Sequence, residues 1–414
     1  MATDSTLYYV LLFIVIVFQR IPQDDIPTDR PLASVCQYDC RVLCPECFPL
    51  PPRCDELDRL FTLHGGSLFN RINGMLNAHT TRIGAFREPT NQAVLKHLNR
   101  DSTMEKLLQQ FCDSYKQPKA DRCTWARNGS VEEAKQFLQQ SILDDTRIEG
   151  CIFCPTTSSG QTLQRFLALL DPTDNALRNL LAVRTNVEPL LLKLFATHDT
   201  SSLYVPKLLD MIGFTVIESY EGQTLEHYYD QPLAIRLLIA AKLIQAAFSF
   251  TEGIHGFRFY LTDINPDNVV VKVDHGSSNV RVSIVDLDNV IILDSLAGTF
   301  SSQHAYHVHG KIECNGCFAY VQEDVCRYRS SDLNLFATCQ LLLENLNGNY
   351  AAGLLHSGHG KSKDQSLTDP YDDAPHILHN LLEECVHCQP PNCRNRSLIL
   401  HDMLEIIDRT VAQL

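Results

Sequence analysis

The sequence is short of positive charge. Its 35 lysines and arginines face 49 aspartates and glutamates, a formal net charge of −14, which argues against a nucleic-acid binder needing a basic face for phosphates. Long apolar runs are scarce too. Beyond the N-terminus no stretch offers about 18 consecutive apolar residues, and the most hydrophobic, Leu233 to Phe248, is broken by Arg236, Lys242 and Gln245. The chain lacks the repetition of a fibre, and its 44% apolar residues are too many for disorder. Tryptophan occurs once, whereas cysteine occurs 16 times, which calls for an oxidising compartment or a metal.

The N-terminus favours the compartment. Leu7 to Phe18 is an uncharged apolar run of 12, too short for a standard spanning helix and suited to a signal-peptide core. Asp4 stands where a basic residue is usual, and Gln19 to Pro22 offers no small-residue cleavage site, so residues 1–20 read as a signal peptide or a short signal anchor. The expected location is the secretory pathway: the Golgi lumen, the extracellular space or both. Membrane contact is expected only through that anchor. Two sequons, at Asn128 and Asn395, fit this route. The pairs Cys44/Cys47, Cys151/Cys154, Cys314/Cys317 and Cys385/Cys388 have zinc-ligand spacing, but in a secretory chain disulfides are expected and zinc is not.

Residues 21–60 form a Cys- and Pro-rich cap. Residues 61–98 alternate short apolar pieces with Gly, Asn and Pro and read as small antiparallel strands, and residues 101–186 read as a polar helical insertion. Asn186 to Leu194 is a short capped helix, followed by two strands ending near Tyr220. Pro232 opens a helix apolar almost all round, the mark of a buried core element. Val269–Val273 and Val280–Val285 make a hairpin, and the C-terminal third is helical. The fold class is α+β with two lobes, residues 61–222 and 223–414.

Three residues carry a chemistry. Asp263 precedes Asn268 with the D-x-x-x-x-N spacing of a phosphotransferase loop, and Asp286 follows the hairpin that returns the chain to the same edge. Two oxygen ligands, Asn268 and Asp286, would hold Mg²⁺ on nucleotide phosphates, and Asp263 would accept the proton of an attacking hydroxyl. Alone, the residues near Pro266 also fit a simple Asx turn. The order of helix, loop, hairpin and second acidic motif favours the chemical reading.

From about residue 36 to 414 the chain resembles the protein-kinase fold, and more closely the divergent secretory-pathway kinase-like proteins of the deleted-in-autism family. The segments that carry the resemblance are Tyr260 to Val271, Ile284 to Asp294, Asn186 to Phe195, Ala93 to Leu98 and Cys44 to Phe48. It implies a two-lobed protein-kinase-like fold with a Cys-rich N-terminal cap and a helical insertion in the N-lobe. Val216 to Gly222 would be the hinge that holds adenine through its backbone, including Glu218 and Tyr220, and Asp332 would brace the catalytic loop. The phosphate-clamping lysine is Lys96 or Lys193. Lys193 leaves too little room for a partner helix before Pro206, so Lys96 pairs with Glu188 across the insertion.

The departures are specific. Leu261-Thr262 replaces the usual His-Arg, Asp286-Leu287-Asp288 lacks the glycine, and no G-x-G-x-x-G precedes Lys96, the nearest stretch being Ile72-Asn73-Gly74-Met75. No A-P-E motif follows. His304, His307 and His309 alternate with other residues in a polar loop and are not expected to form a metal site. Two functions remain open. One is a kinase using ATP and Mg²⁺ or Mn²⁺ on a protein substrate; the other is a weak or inactive pseudokinase acting as a secreted factor on a cell-surface partner.

Overall fold

The computed structural model describes residues 32–48, 52–63, 81–99, 102–114, 123–126, 130–144, 151–171, 173–196, 204–273, 279–297, 300, 306–307, 320–344, 349, 353–355, 374–388 and 392–413. The apolar N-terminal run, Ile72 to Met75, Asn128, His304, His309, Cys314 and Cys317 lie outside these residues.

The cap contains helices α1 (Leu32–Tyr38) and α2 (Cys54–Leu60), joined by the Cys36–Cys54 disulfide, with Cys44–Cys47 closing the turn between them. Strands β1 (Phe61–Leu63), β2 (Arg82–Phe86) and β3 (Gln92–His97) follow. The insertion holds α3 (Thr103–Ser114), α4 (Val131–Leu143), β4 (Cys151–Cys154), α5 (Ser159–Ala168) and α6 (Ala176–Thr185). The lone tryptophan, Trp125, is fully buried there and stacks on Phe111 at 5.4 Å, beside the Cys112–Cys123 disulfide. Next come α7 (Glu188–Ala196), β5 (Leu208–Ile212) and β6 (Thr215–Ser219).

The N-lobe sheet is antiparallel in the order β1-β2-β3-β6-β5. Strand alternation gives it two different faces. Ala93, Leu95 and Ile217 pack under the cap with Cys36, Leu57 and Phe61. Lys96 lies opposite Val216 in register and Val94 opposite Glu218, so Lys96 and Glu218 share the other face. The cap docks through charge as well as grease: buried Asp39 meets His97 Nε2 at 2.9 Å and accepts from Asn99 Nδ2 at 3.2 Å.

The chain crosses to the second lobe through β7 (Gln223–Thr224) and α8 (Leu233–Glu252). Gly222 sits at the crossing with φ +116°, where an added Cβ would stand 2.0 Å from the Val271 carbonyl oxygen, so only glycine fits. Helix α8 is apolar and long enough to span a membrane, yet Leu237, Ile239, Leu243, Ile244 and Phe250 are buried in the protein core. Strands β8 (Phe257–Leu261), β9 (Val269–Val273), β10 (Val280–Ile284) and β11 (Val290–Asp294) precede the helices α9 (Gln322–Cys326), α10 (Leu333–Leu343), α11 (Ala374–His387) and α12 (Arg396–Val411).

One expectation about the insertion is corrected. It is not wholly helical, because β4 pairs in parallel with β11, whose other edge is β8, and Cys154 bonds to Cys326. The insertion therefore builds part of the second lobe. Two CxxC spacings also separate: Cys151 is a free thiol, whereas Cys385 bonds to Cys339 and Cys388 to Cys393.

Candidate active site

Local turn chemistry shapes the loop after β8. Asn265 accepts the backbone N–H groups of Asp267 and Asn268, which starts a short 3₁₀ turn over Pro266–Asn268. Asn268 Nδ2 then donates to the Asp263 carbonyl at 2.9 Å and to its carboxylate at 3.1 Å, while Asn265 Nδ2 donates to Asp263 Oδ1 at 2.8 Å. The Asx turn and the chemical constellation are thus one structure. At the far end of the β9–β10 hairpin, Val285 N–H donates to the Asn268 carbonyl at 2.9 Å, which places Asp286 beside that loop. Asp286 adopts φ +61°, a conformation rare for a non-glycine residue and a mark of local constraint.

Lys96 and Glu188 meet as the sequence predicts. Asn186 Oδ1 accepts the Glu188 N–H at 2.9 Å and starts α7, which is buried almost all round. The Glu188 carboxylate takes Lys96 Nζ at 2.8 and 2.9 Å, and its Oε1 also accepts the N–H groups of Asp286 at 3.0 Å and Leu287 at 3.3 Å. Lys193, the other candidate, pairs with Asp174 at 2.8 Å on a more open surface.

Glu218 departs from its expected part. Its register with Val94 and Leu208 sets it inside the sheet rather than in the linker, and its side chain meets Lys96 Nζ at 3.0 Å. Burial pushes the Glu218 carboxyl up to about 7, against the pull of Lys96 and with the help of Glu188 and Asp286. Burial opposes the Lys96 charge, but Glu188, Glu218 and Asp286 outweigh it and hold the ammonium above its ordinary value. Tyr220 lies one residue past β6, half-buried, its N–H on the Gln92 carbonyl at 3.2 Å; burial raises its phenol.

Asp332 is a second correction. Among the described residues its carboxylate finds partners away from the loop after β8: Oδ1 accepts the His307 N–H at 2.6 Å and Oδ2 meets Arg396 Nη1 at 2.7 Å. The loop is braced by Asn334, whose Oδ1 accepts Leu261 N–H at 3.0 Å and whose Nδ2 donates to the Phe259 carbonyl at 2.9 Å. Tyr260 OH adds a contact by accepting Ser331 N–H at 2.8 Å. Sequence reasoning missed Asn334 and Arg396, although Asn334 stands two residues after Asp332 at the start of the same helix. His307 is buried against Phe336, with ring centroids 4.6 Å apart.

Known proteins match this chain in sequence. The family described as the protein-kinase domain of FAM69 matches residues 180–388, just over half of the chain, which include Glu188, Glu218, Asp263, Asn268 and Asp286 but not Lys96. Divergent protein kinase domain 2A of Xenopus tropicalis is 27% identical over 293 residues, 64% of this chain and 65% of that protein. The human and mouse proteins of the same name are each 27% identical over 303 residues, 66% of this chain and 67% of theirs. The chain thus spans about two thirds of the length of the curated relatives it matches. With that family matched over the residues that organise the site, the chain belongs to the FAM69 protein-kinase-domain family.

Proposed function

We propose that this chain is a phosphotransferase of the secretory pathway, acting in the Golgi lumen or outside the cell, that binds ATP with Mg²⁺ or Mn²⁺ and passes a phosphoryl group to a protein hydroxyl. One observation carries the reading: Glu188 Oε1 and Oε2 gather Lys96 from β3 and the backbone of Asp286 and Leu287 after β10, so three distant segments converge. That convergence is what a phosphate clamp beside a metal ligand needs.

The residues present fit a hard divalent cation. Asn268 spends its Nδ2 on Asp263 and keeps an amide oxygen as acceptor, and Asp286 adds a carboxylate, an oxygen-only set of the kind Mg²⁺ and Mn²⁺ take. The cation supplies charge neutralisation of the phosphates. Asp263, oriented by Asn265 and Asn268, accepts the proton of the attacking hydroxyl, and Lys96 holds a phosphate oxygen. The backbone of the linker beyond β6 and Tyr220 holds the base. Relatives bearing the word kinase in their names support the class of reaction, not its acceptor.

The test is a thermal-shift titration with Mg·ATP, since a ligand bound only to the folded state adds about 2.7 kcal/mol at a hundredfold excess over Kd. Wild type should shift and Asp286→Ala should not; a wild type that never shifts removes the nucleotide reading. A second reading, a secreted pseudokinase that signals through a cell-surface partner, is favoured by the missing glycine after Leu287 and by the second carboxylate on Lys96. It is distinguished by nucleotide binding without transfer of labelled phosphate to itself or to any secreted protein mixture.

A further inference from the structure

Lys96 meets carboxylates from two different elements, α7 and β6. Its Nζ donates to both oxygens of Glu188, at 2.8 and 2.9 Å, and forms a second ion pair with Glu218 Oε1 at 3.0 Å. Lys96 is 6% exposed and both glutamates are 1% exposed, so water does not share the work. Glu188 alone fixes the lysine and links it to Asp286 and Leu287. Glu218 is therefore in excess.

Its excess is also unfavourable to folding. Glu218 Oε2 is buried with no hydrogen-bond partner among the described residues, a costly condition for a carboxylate. The ladder of β6 with β3 and β5 is made by backbone and would form with an apolar side chain at this position. A buried charge group that the packing does not require, set on the face that holds Lys96, points to function.

We propose that Glu218 sets the nucleotide affinity of the cleft by competing for Lys96. This rests on the nucleotide reading given above. The Glu218 carboxylate occupies the side of the ammonium that a phosphate oxygen would take, so binding exchanges the Lys96–Glu218 ion pair for one between Lys96 and phosphate. No covalent bond changes and no electron moves. The displaced carboxylate then faces a phosphate of like charge, and a divalent cation travelling with the nucleotide offsets that repulsion. The cleft thereby prefers metal-complexed nucleotide to the free anion.

The experiment uses the full chain as wild type, E218Q and E218M, titrated calorimetrically with Mg·ATP, with metal-free ATP and with adenosine. Both variants keep the Lys96–Glu188 pair, and their melting temperatures report that they fold. Mg·ATP should bind each variant about tenfold more tightly than wild type, the counterpart of one charge-assisted hydrogen bond no longer displaced. Adenosine, which has no phosphate for Lys96, should bind all three alike, whereas a general structural effect would move both ligands together. Metal-free ATP should gain more than Mg·ATP, and E218Q/K96M should lose the gain. Mg·ATP binding to wild type that is unchanged or weaker in both variants overturns this inference alone, as does a gain shared by adenosine. No binding of Mg·ATP to wild type or to either variant overturns it together with the nucleotide reading.

Discussion

Replacing Arg396 by methionine takes the partner from a buried carboxylate while keeping most of the side-chain volume. The Arg396 guanidinium is 1% exposed, meets Asp332 at 2.7 Å, donates to the carbonyls of His307 at 3.0 Å and Cys385 at 2.8 Å, and lies 3.8 Å above the Tyr306 ring. Without it the Asp332 charge, also 1% exposed, remains buried with the His307 N–H as its hydrogen-bond donor. Breaking such a pair costs about 3–5 kcal/mol and the lost stacking about 1 kcal/mol, so R396M should lose roughly 4–6 kcal/mol. Equilibrium urea unfolding with the disulfides intact measures it. The double variant R396M/D332N removes both charges, keeps an acceptor for His307 N–H, and should recover at least half of the loss. A loss below about 1 kcal/mol in R396M, or a double variant no better than the single one, refutes the reasoning. The same structure separates two functions at the start of α10: N334L should diminish the Mg·ATP thermal shift by freeing Leu261 N–H, whereas R396M should retain it wherever the protein is folded.

Stability should also depend on pH through Glu218. Its carboxyl is raised in the folded protein from 4.5 to about 7, so the native state keeps a proton that the unfolded chain has shed. The contribution is fully present below the unfolded value and is lost as pH rises through the folded one, a fall of about 3 kcal/mol at most. Urea midpoints between pH 5 and 8 should show that fall in wild type and flatten in E218Q. Opening the Cys154–Cys326 bond by paired serine substitutions releases a link across 172 residues, and urea unfolding should lose about 3–5 kcal/mol if the remaining disulfides stay as mapped by peptide mass spectrometry. Gly222→Ala should lower the melting temperature, since φ +116° and a Cβ only 2.0 Å from the Val271 oxygen force the crossing backbone to move. Unchanged melting would mean that the crossing relaxes freely.

Legibility followed how local the signal was. Helix α8 could be read because Pro232 begins it, Gly253 ends it at φ +72° and its whole circumference is apolar. The Asp263–Asn268 turn could be read because its hydrogen bonds span five residues or fewer. Lys96 and Glu188, 92 residues apart, were reached by asking which lysine leaves room for a partner helix. Glu218 was misplaced because Val216-Ile217-Glu218-Ser219 reads as a strand running out to an exposed end. Only the register with β3 turns that carboxylate toward Lys96. Asp332 was misplaced because its real partners, His307 and Arg396, come from segments 25 and 64 residues away with no pattern of their own. Strand β4 is four residues long among helical signals, and its partner β11 lies far along the chain. The CxxC spacings were visible, but sulfur partners are chosen by proximity in space, which the spacing does not encode.

The insertion changes what the Lys96–Glu188 pair implies. Leaving β3, the chain runs through α3 and α4, lays β4 against β11 in the second lobe, is bonded there by Cys154–Cys326, and returns through α5 and α6 to deliver Glu188. Arg165 on α5 adds an ion pair to Asp294 at the end of β11. Helix α7 therefore does not hang from the N-lobe sheet by a loop; the segment leading into it is fastened to the other lobe. Moving Glu188 away from Lys96 would pull on a strand pairing, an ion pair and a disulfide together. Few free motions remain to break that clamp. The variable element at Lys96 is then Glu218, which contributes one ion pair from the side chain of a strand whose ladder is made by backbone.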